Sequence, residues 1–201
     1  MSYMGPVITI GREYGAGGST IAAGLSKELG IPWYDHDFVK LIAKKSGYSE
    51  EEIMEEGEEI SSQNRFWDKL LGNSMAYTSS YDEIYKAQKE AILELAKGAE
   101  PCIIVGRCSN DILKTAGIKS FDVFLYADKE IRIERAKELV PDSVKDIKKY
   151  VEKRDALRDN YYKAYAGESM NTALDYSICL DTGCISYETC IRIIADIVKT
   201  L

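Results

Sequence analysis

The sequence predicts an α/β protein, an open and mostly parallel five-stranded sheet flanked by helices. Two observations predict it. Short runs that are apolar on both faces alternate with amphipathic segments of helical period, as parallel strands covered on both sides do. The chain has 201 residues, 45% of them hydrophobic, enough to bury a sizeable core within one domain spanning 1–201.

In chain order, the expected strands are Val7–Ile10, Ile31–Asp35, Cys102–Gly106, Phe121–Ala127 and Tyr176–Leu180. The second of these is the weakest. The first helix follows Ser19 or Thr20 as cap, buries Ile21, Ala22, Leu25 and Leu29, and stops at Gly30. A later helix aligns Ile84, Ala87, Ala91, Ile92 and Leu95 on one face. Asp128 and Ser186 are placed to cap two more. The alternation breaks twice, in a helical stretch from Asp37 to Leu95 and in a second from Ser143 to about Tyr165.

Charge and composition exclude several function classes. A net charge of −7 and a pI of about 5.0 argue against a broad basic surface for nucleic acid. The acidic block Ser49–Glu59 reads as a solvated helix face. Five cysteines without a C-x-x-C pair argue against a disulfide framework or zinc site. The start has no basic segment leading into a long apolar run, and no stretch reaches the ~18 apolar residues of a membrane span. A reduced, cytoplasmic protein is expected.

Between the first strand and helix lies "GREYGAGGST", Gly11–Thr20. Glycines let backbone N–H groups turn inward, and the following helix adds the positive end of its dipole. Gly15, Ala16, Gly17, Gly18 and Ser19 therefore read as a phosphate loop, with the hydroxyl of Ser19 or Thr20 available to Mg²⁺. A G-x-x-x-x-G-K-[ST] loop would carry lysine where Gly18 stands. A dinucleotide fingerprint is the rival reading, because Asp35 lies 20 residues after Gly15. Against it, Thr20 stands at the third glycine position, and Arg12, Glu13 and Tyr14 separate the strand from the glycines. An ordinary glycine turn is the third reading.

Several segments in order resemble the cytidylate-kinase-like members of the nucleoside monophosphate kinases, nearly end to end. These are "ITIGREYGAGGSTIAAGLSKELG", "WYDHDFV", "CIIVGRCSNDIL", "FLYADKEIRIERAKE", "EKRDALRDNYY" and "YSICLDTGCISYETCIRII". The resemblance implies a P-loop kinase fold with a helical acceptor-binding region at 36–98 and a lid at 143–168. It implies transfer of the ATP γ-phosphoryl group, with Mg²⁺, to a small acceptor, a nucleoside monophosphate such as CMP or dCMP. It makes Arg154 and Arg158, four apart on one helix face, lid arginines over the transferring phosphate. Arg107 becomes a contact to the acceptor's phosphate, Asp35 an acceptor-site or metal-linked carboxylate, and Arg132 and Arg135 flanks of the donor nucleotide. Arginine suits these places because its planar fork donates bidentately and stays ionised.

Two departures stand out: the loop lysine is missing, and Cys108 replaces the acid common after Gly-Arg in the main cytidylate kinases. The divergent branch that the chain most resembles typically reads Ser/Gly-Arg-Glu-Tyr-Gly-x-Gly-Gly in the loop, as here, and Arg12 is the natural surrogate for the lysine. Three other readings remain: a nucleotide-binding protein that lost turnover with the lysine, an NAD(P)-dependent oxidoreductase, and the same kinase chemistry on a nucleoside or another small metabolite. Tyr77, Tyr81 and Tyr85 recur along one helix face and read as packing, Tyr161, Tyr162 and Tyr165 as ambiguous, and the single histidine, His36, as a cap or exposed residue.

Overall fold

The computed structural model describes residues 5–35, 74–141 and 143–201, with the backbone alone for 74–82. His36, the acidic block at 49–59 and the side chains of Tyr77 and Tyr81 lie outside these residues. Strand β1 (Val7–Arg12) is followed by α1 (Gly18–Leu29) and β2 (Trp33–Tyr34). Helix α2 (Ser74–Ala96), β3 (Ile103–Val105), α3 (Ser109–Thr115), β4 (Ser120–Tyr126) and α4 (Lys129–Ala136) come next. The chain ends with α5 (Ile147–Ala166), β5 (Ile178–Asp181) and α6 (Tyr187–Val198).

The five strands form one parallel sheet in the order β2-β3-β1-β4-β5. All five expected strands are present. β1 runs two residues past its expected end because Gly11 and Arg12 pair with Phe124 and Leu125 of β4. Alternate side chains of β1 bury on opposite faces, which is why the run is apolar throughout. Ile8 and Ile10 pack with Ile21, Leu25, Ile194 and Val198 of α1 and α6, while Val7 packs with Ile84, Ile92 and Leu113 of α2 and α3. A third cluster joins α5 to the sheet through Phe124, Tyr161, Tyr162 and Met170.

The helix ends follow local chemistry. Gly30 stops α1 in the left-handed region, its N–H returning to Ser26 O. Asp128 caps α4 by accepting from Glu130 N, and Ser186 caps α6 by accepting from Thr189 N. All five cysteines are free thiols. Among the described residues no helix is long and apolar enough to cross a membrane.

Candidate active site

The loop after β1 is built from the backbone upward. Glu13 N donates to Leu125 O at 3.0 Å, and Ala16 N donates to Glu13 O at 3.3 Å. The expected hydroxyl cap of α1 is replaced by Gly17, left-handed at φ 86°, with no side-chain bond to the helix start and no acid in the first turn. The helix therefore presents its first amides and the positive end of its dipole without a competing side chain, which is the geometry of an anion site. Ser19, inside the first turn, instead donates its hydroxyl to Asp35 Oδ2 at 2.6 Å. Thr20 is exposed beside it.

Gly17 has two reasons to be glycine. Its φ is left-handed, and a Cβ would lie 2.4 Å from the Tyr187 ring of α6. Gly17→Ala is expected to lower stability by about 2 kcal/mol, through backbone strain and a displaced ring, and to weaken ATP binding. Urea denaturation and nucleotide titration of the variant check both.

Under the loop lies a brace. Arg132, expected beside the donor nucleotide, is buried at 4% exposure and turned inward. Its Nε donates to Ala127 O at 3.0 Å and pairs with Glu13 Oε2 at 3.1 Å. Its Nη1 donates to Tyr14 O at 3.1 Å and to Asp155 Oδ2 at 2.6 Å. Asp155 of α5 also accepts from Tyr14 N at 2.7 Å, so one carboxylate ties the second helical region to the loop. Burial pushes the Glu13 carboxyl above its ordinary range, and Arg132 only partly offsets it. Arg135 ties the loop's far side to β5, with Nη2 donating to Thr182 O at 2.8 Å and the guanidinium 4.9 Å from the Tyr187 ring.

Beside the loop, at the carboxyl ends of β1 and β3, opens a cleft of about 390 Å³. It lies at the place where open α/β sheets bind ligands. Arg12, Arg107 and Arg158 line it with Cys108, Asn110, Tyr161 and Tyr162, and among the described residues no carboxylate lines it. Gly106, Arg107 and Cys108 are successively left-handed, at φ 76°, 64° and 52°. Such a run in non-glycine residues stores strain of the kind held at functional sites, and it turns α3 away so that Arg107 stays at the cleft. The Nη1 of Arg107 is buried without a hydrogen-bond partner, a donor placed for an anion.

The tyrosines complete the wall. Tyr161 donates to Gln88 Oε1 at 2.5 Å, and Tyr162 accepts from Asn110 Nδ2 at 2.8 Å. Burial pushes both phenols well above the usual tyrosine range, so they stay neutral at physiological pH. Tyr85 of α2 stacks on Tyr165 of α5 at 3.7 Å, and burial lifts its phenol to about 12.

Of the residues singled out in the sequence, Arg12, Arg107 and Arg158 meet at the cleft, with Asp35 and Ser19 adjoining through Arg12. Arg154 stands off it, over the rings of Tyr14 and Tyr150 at 5.7 and 5.9 Å. Arg158 also faces Tyr14, at 5.5 Å. Gly11, Asn110, Asp155 and Tyr176 were missed. Gly11 makes room for Tyr176, whose hydroxyl would lie 2.9 Å from a Cβ there. Only Asp155, set between two arginines, left a trace in the sequence. The Ser19 hydroxyl and Asp35 carboxylate are hard oxygens suited to Mg²⁺ that arrives on nucleotide phosphates. Among the described residues no group of three or more His, Cys, Asp or Glu forms a separate metal cage.

Sheet order, open loop and cationic cleft together define a P-loop kinase fold. The structure is similar to an uncharacterized protein from Eubacterium ventriosum at 23% identity (TM-score 0.69; 98% of this chain and 99% of that chain covered). It is similar to a gluconokinase from Sinorhizobium meliloti at 14% (TM-score 0.57; 100% and 97%). A shikimate kinase from Acinetobacter baumannii in complex with shikimate matches at 17% (TM-score 0.56; 98% and 95%). The chain belongs to the cytidylate kinase-like family, whose model matches residues 7–183. No curated protein matches it significantly. The dinucleotide reading fails on topology, since its usual strand order is 3-2-1-4-5-6 and here β3 sits between β2 and β1.

Proposed function

We propose that the protein transfers the γ-phosphoryl group of ATP to a nucleoside monophosphate, CMP or dCMP first among them. One observation carries this reading: a cleft lined by three arginines and, among the described residues, no carboxylate adjoins a helix N-terminus left open to phosphate. In-line transfer needs two polyanions held end to end with their charge neutralised, and little covalent work by the protein. In this reading the amides of Gly15, Ala16, Gly17, Gly18 and Ser19 hold the donor's β-phosphate. Ser19, with Thr20 beside it and Asp35 behind it, would hold Mg²⁺, which would supply positive charge to neutralise the donor phosphates. Arg107 and Asn110 take the acceptor's phosphate. Arg158 and Arg154 close from the lid at 143–168, and residues 36–98 select the acceptor.

Incubation with Mg²⁺ and γ-labelled ATP against a panel of nucleoside monophosphates, with shikimate and gluconate alongside, tests it. Label on CMP or dCMP is the expected result. Label that stays on ATP for every acceptor, or moves only to a non-nucleotide, overturns the proposal.

A further inference from the structure

In a G-x-x-x-x-G-K-[ST] loop the sixth position is glycine and the seventh lysine. With Gly17 sixth and Gly18 seventh, the first position, ordinarily glycine, is Arg12. Cation and glycine have exchanged places, and the side-chain packing explains why. A Cβ on Gly18 would lie 2.9 Å from Arg12 Cγ and 3.2 Å from its Cδ. The stem of Arg12 thus occupies the space in which a lysine at position 18 would begin.

The head of Arg12 turns toward Asp35. Its Nη2 lies 3.6 Å from Asp35 Oδ1, and the other oxygen of that carboxylate holds the Ser19 hydroxyl. The residue is 8% exposed and borders the cleft that it shares with Arg107 and Arg158. It therefore stands between the helix N-terminus, where the donor phosphates would sit, and the cleft for the acceptor.

We infer that Arg12 is the catalytic cation of this loop, doing from the first position what lysine does from the seventh, and that Gly18 is glycine because Arg12 fills its side-chain space. The inference rests on the phosphoryl-transfer reading. In that reaction an acceptor phosphate oxygen forms the new bond to the γ-phosphorus. The bond to the β–γ bridging oxygen breaks, and its electron pair leaves with ADP. Arg12 keeps its protons and donates to the oxygens of the moving group, over which the charge is spread in transit.

The test uses the full chain with Arg12→Gln, which keeps the stem, Arg12→Lys, Gly18→Lys, and the double variant Arg12→Gly/Gly18→Lys. Two readouts are taken: kcat, and the preference for Mg²⁺-AMP-PNP over Mg²⁺-ADP by calorimetry, with thermal melts as a check of folding. Arg12→Gln is expected to lower kcat roughly 100- to 1,000-fold and to erase the AMP-PNP preference while ADP affinity stays within about threefold. Arg12→Lys retains part of both. Gly18→Lys alone loses activity because it displaces the arginine, and the double variant exceeds it by about tenfold or more.

A kcat within about threefold of the parent for Arg12→Gln, with the AMP-PNP preference intact, overturns the inference and leaves the kinase reading standing. A double variant no better than Gly18→Lys overturns the exchange. If the parent transfers label to no acceptor, the kinase reading falls, and the calorimetric ratio still decides whether Arg12 meets the γ-phosphoryl group. Loss of the ratio in Arg12→Gln supports the contact, and an unchanged ratio overturns it.

Discussion

Arg132→Met is expected to lower the stability of the protein by about 3 kcal/mol, near the lower end of what breaking a buried ion pair costs. The lower end applies because the partner carboxylates are not fully desolvated: the side chains of Glu13 and Asp155 are 22% and 25% exposed, against 5% for Arg132. Methionine fills much of the volume but leaves both carboxylates without their guanidinium. It also strips bonds from Tyr14 O and Ala127 O. For a chain of this length the melting temperature should fall by roughly 10 °C.

The pH dependence has a definite sign. Burial already raises the Glu13 carboxyl above its ordinary value, and removing Arg132 raises it further. A carboxyl whose folded value exceeds its unfolded value contributes stability at low pH that is lost as pH rises through the folded value. The deficit of Arg132→Met should therefore narrow between pH 8 and pH 5. A variant as stable as the parent at both pH values would return Arg132 to the donor-nucleotide role expected from the sequence.

The second large effect is a trade-off at Arg107. Arg107→Gly is expected to lower kcat/KM for the acceptor by roughly 100- to 1,000-fold, the scale of losing a charged donor to a bound anion, with ATP binding unchanged. The same change should raise stability by about 1 kcal/mol. It removes a side chain from a left-handed backbone position and deletes a buried donor without a partner. Arg107→Ala separates the two effects, because alanine removes the guanidinium but keeps the strain. Acceptor-saturation kinetics and urea denaturation of both variants check the trade-off. Equal stability of the glycine and alanine variants would show that the strain is not stored there.

Element by element, the legible parts of this protein are those governed by short-range chemistry. Gly30 ends α1 and Asp128 begins α4 because capping needs only neighbouring atoms. The strands were readable because burial on both faces leaves continuous apolar runs. Helix α3, seven residues long, is too short to show a period, and a pattern reading passes over it. The cap of α1 was misplaced for a related reason: residue preference favours Ser19 or Thr20, but the loop reaches the helix through a left-handed Gly17, and Asp35 takes the Ser19 hydroxyl.

The α/β class, the sheet's strands, the glycine-rich loop after the first of them and the family resemblance can all be read without a fold. Each is written in local periodicity or in an ordered set of short motifs. Which arginines face a common space is set by long-range packing. Arg132 and Arg135 occupy neighbouring turns of α4, yet one is buried under the loop and the other bonds Thr182 just past β5, while Arg12, Arg107 and Arg158 come from three separate parts of the chain to one cleft. The direction of a long charged side chain is set by the carboxylates and carbonyls that the fold brings within about 3 Å of it, and those partners lie far away in sequence.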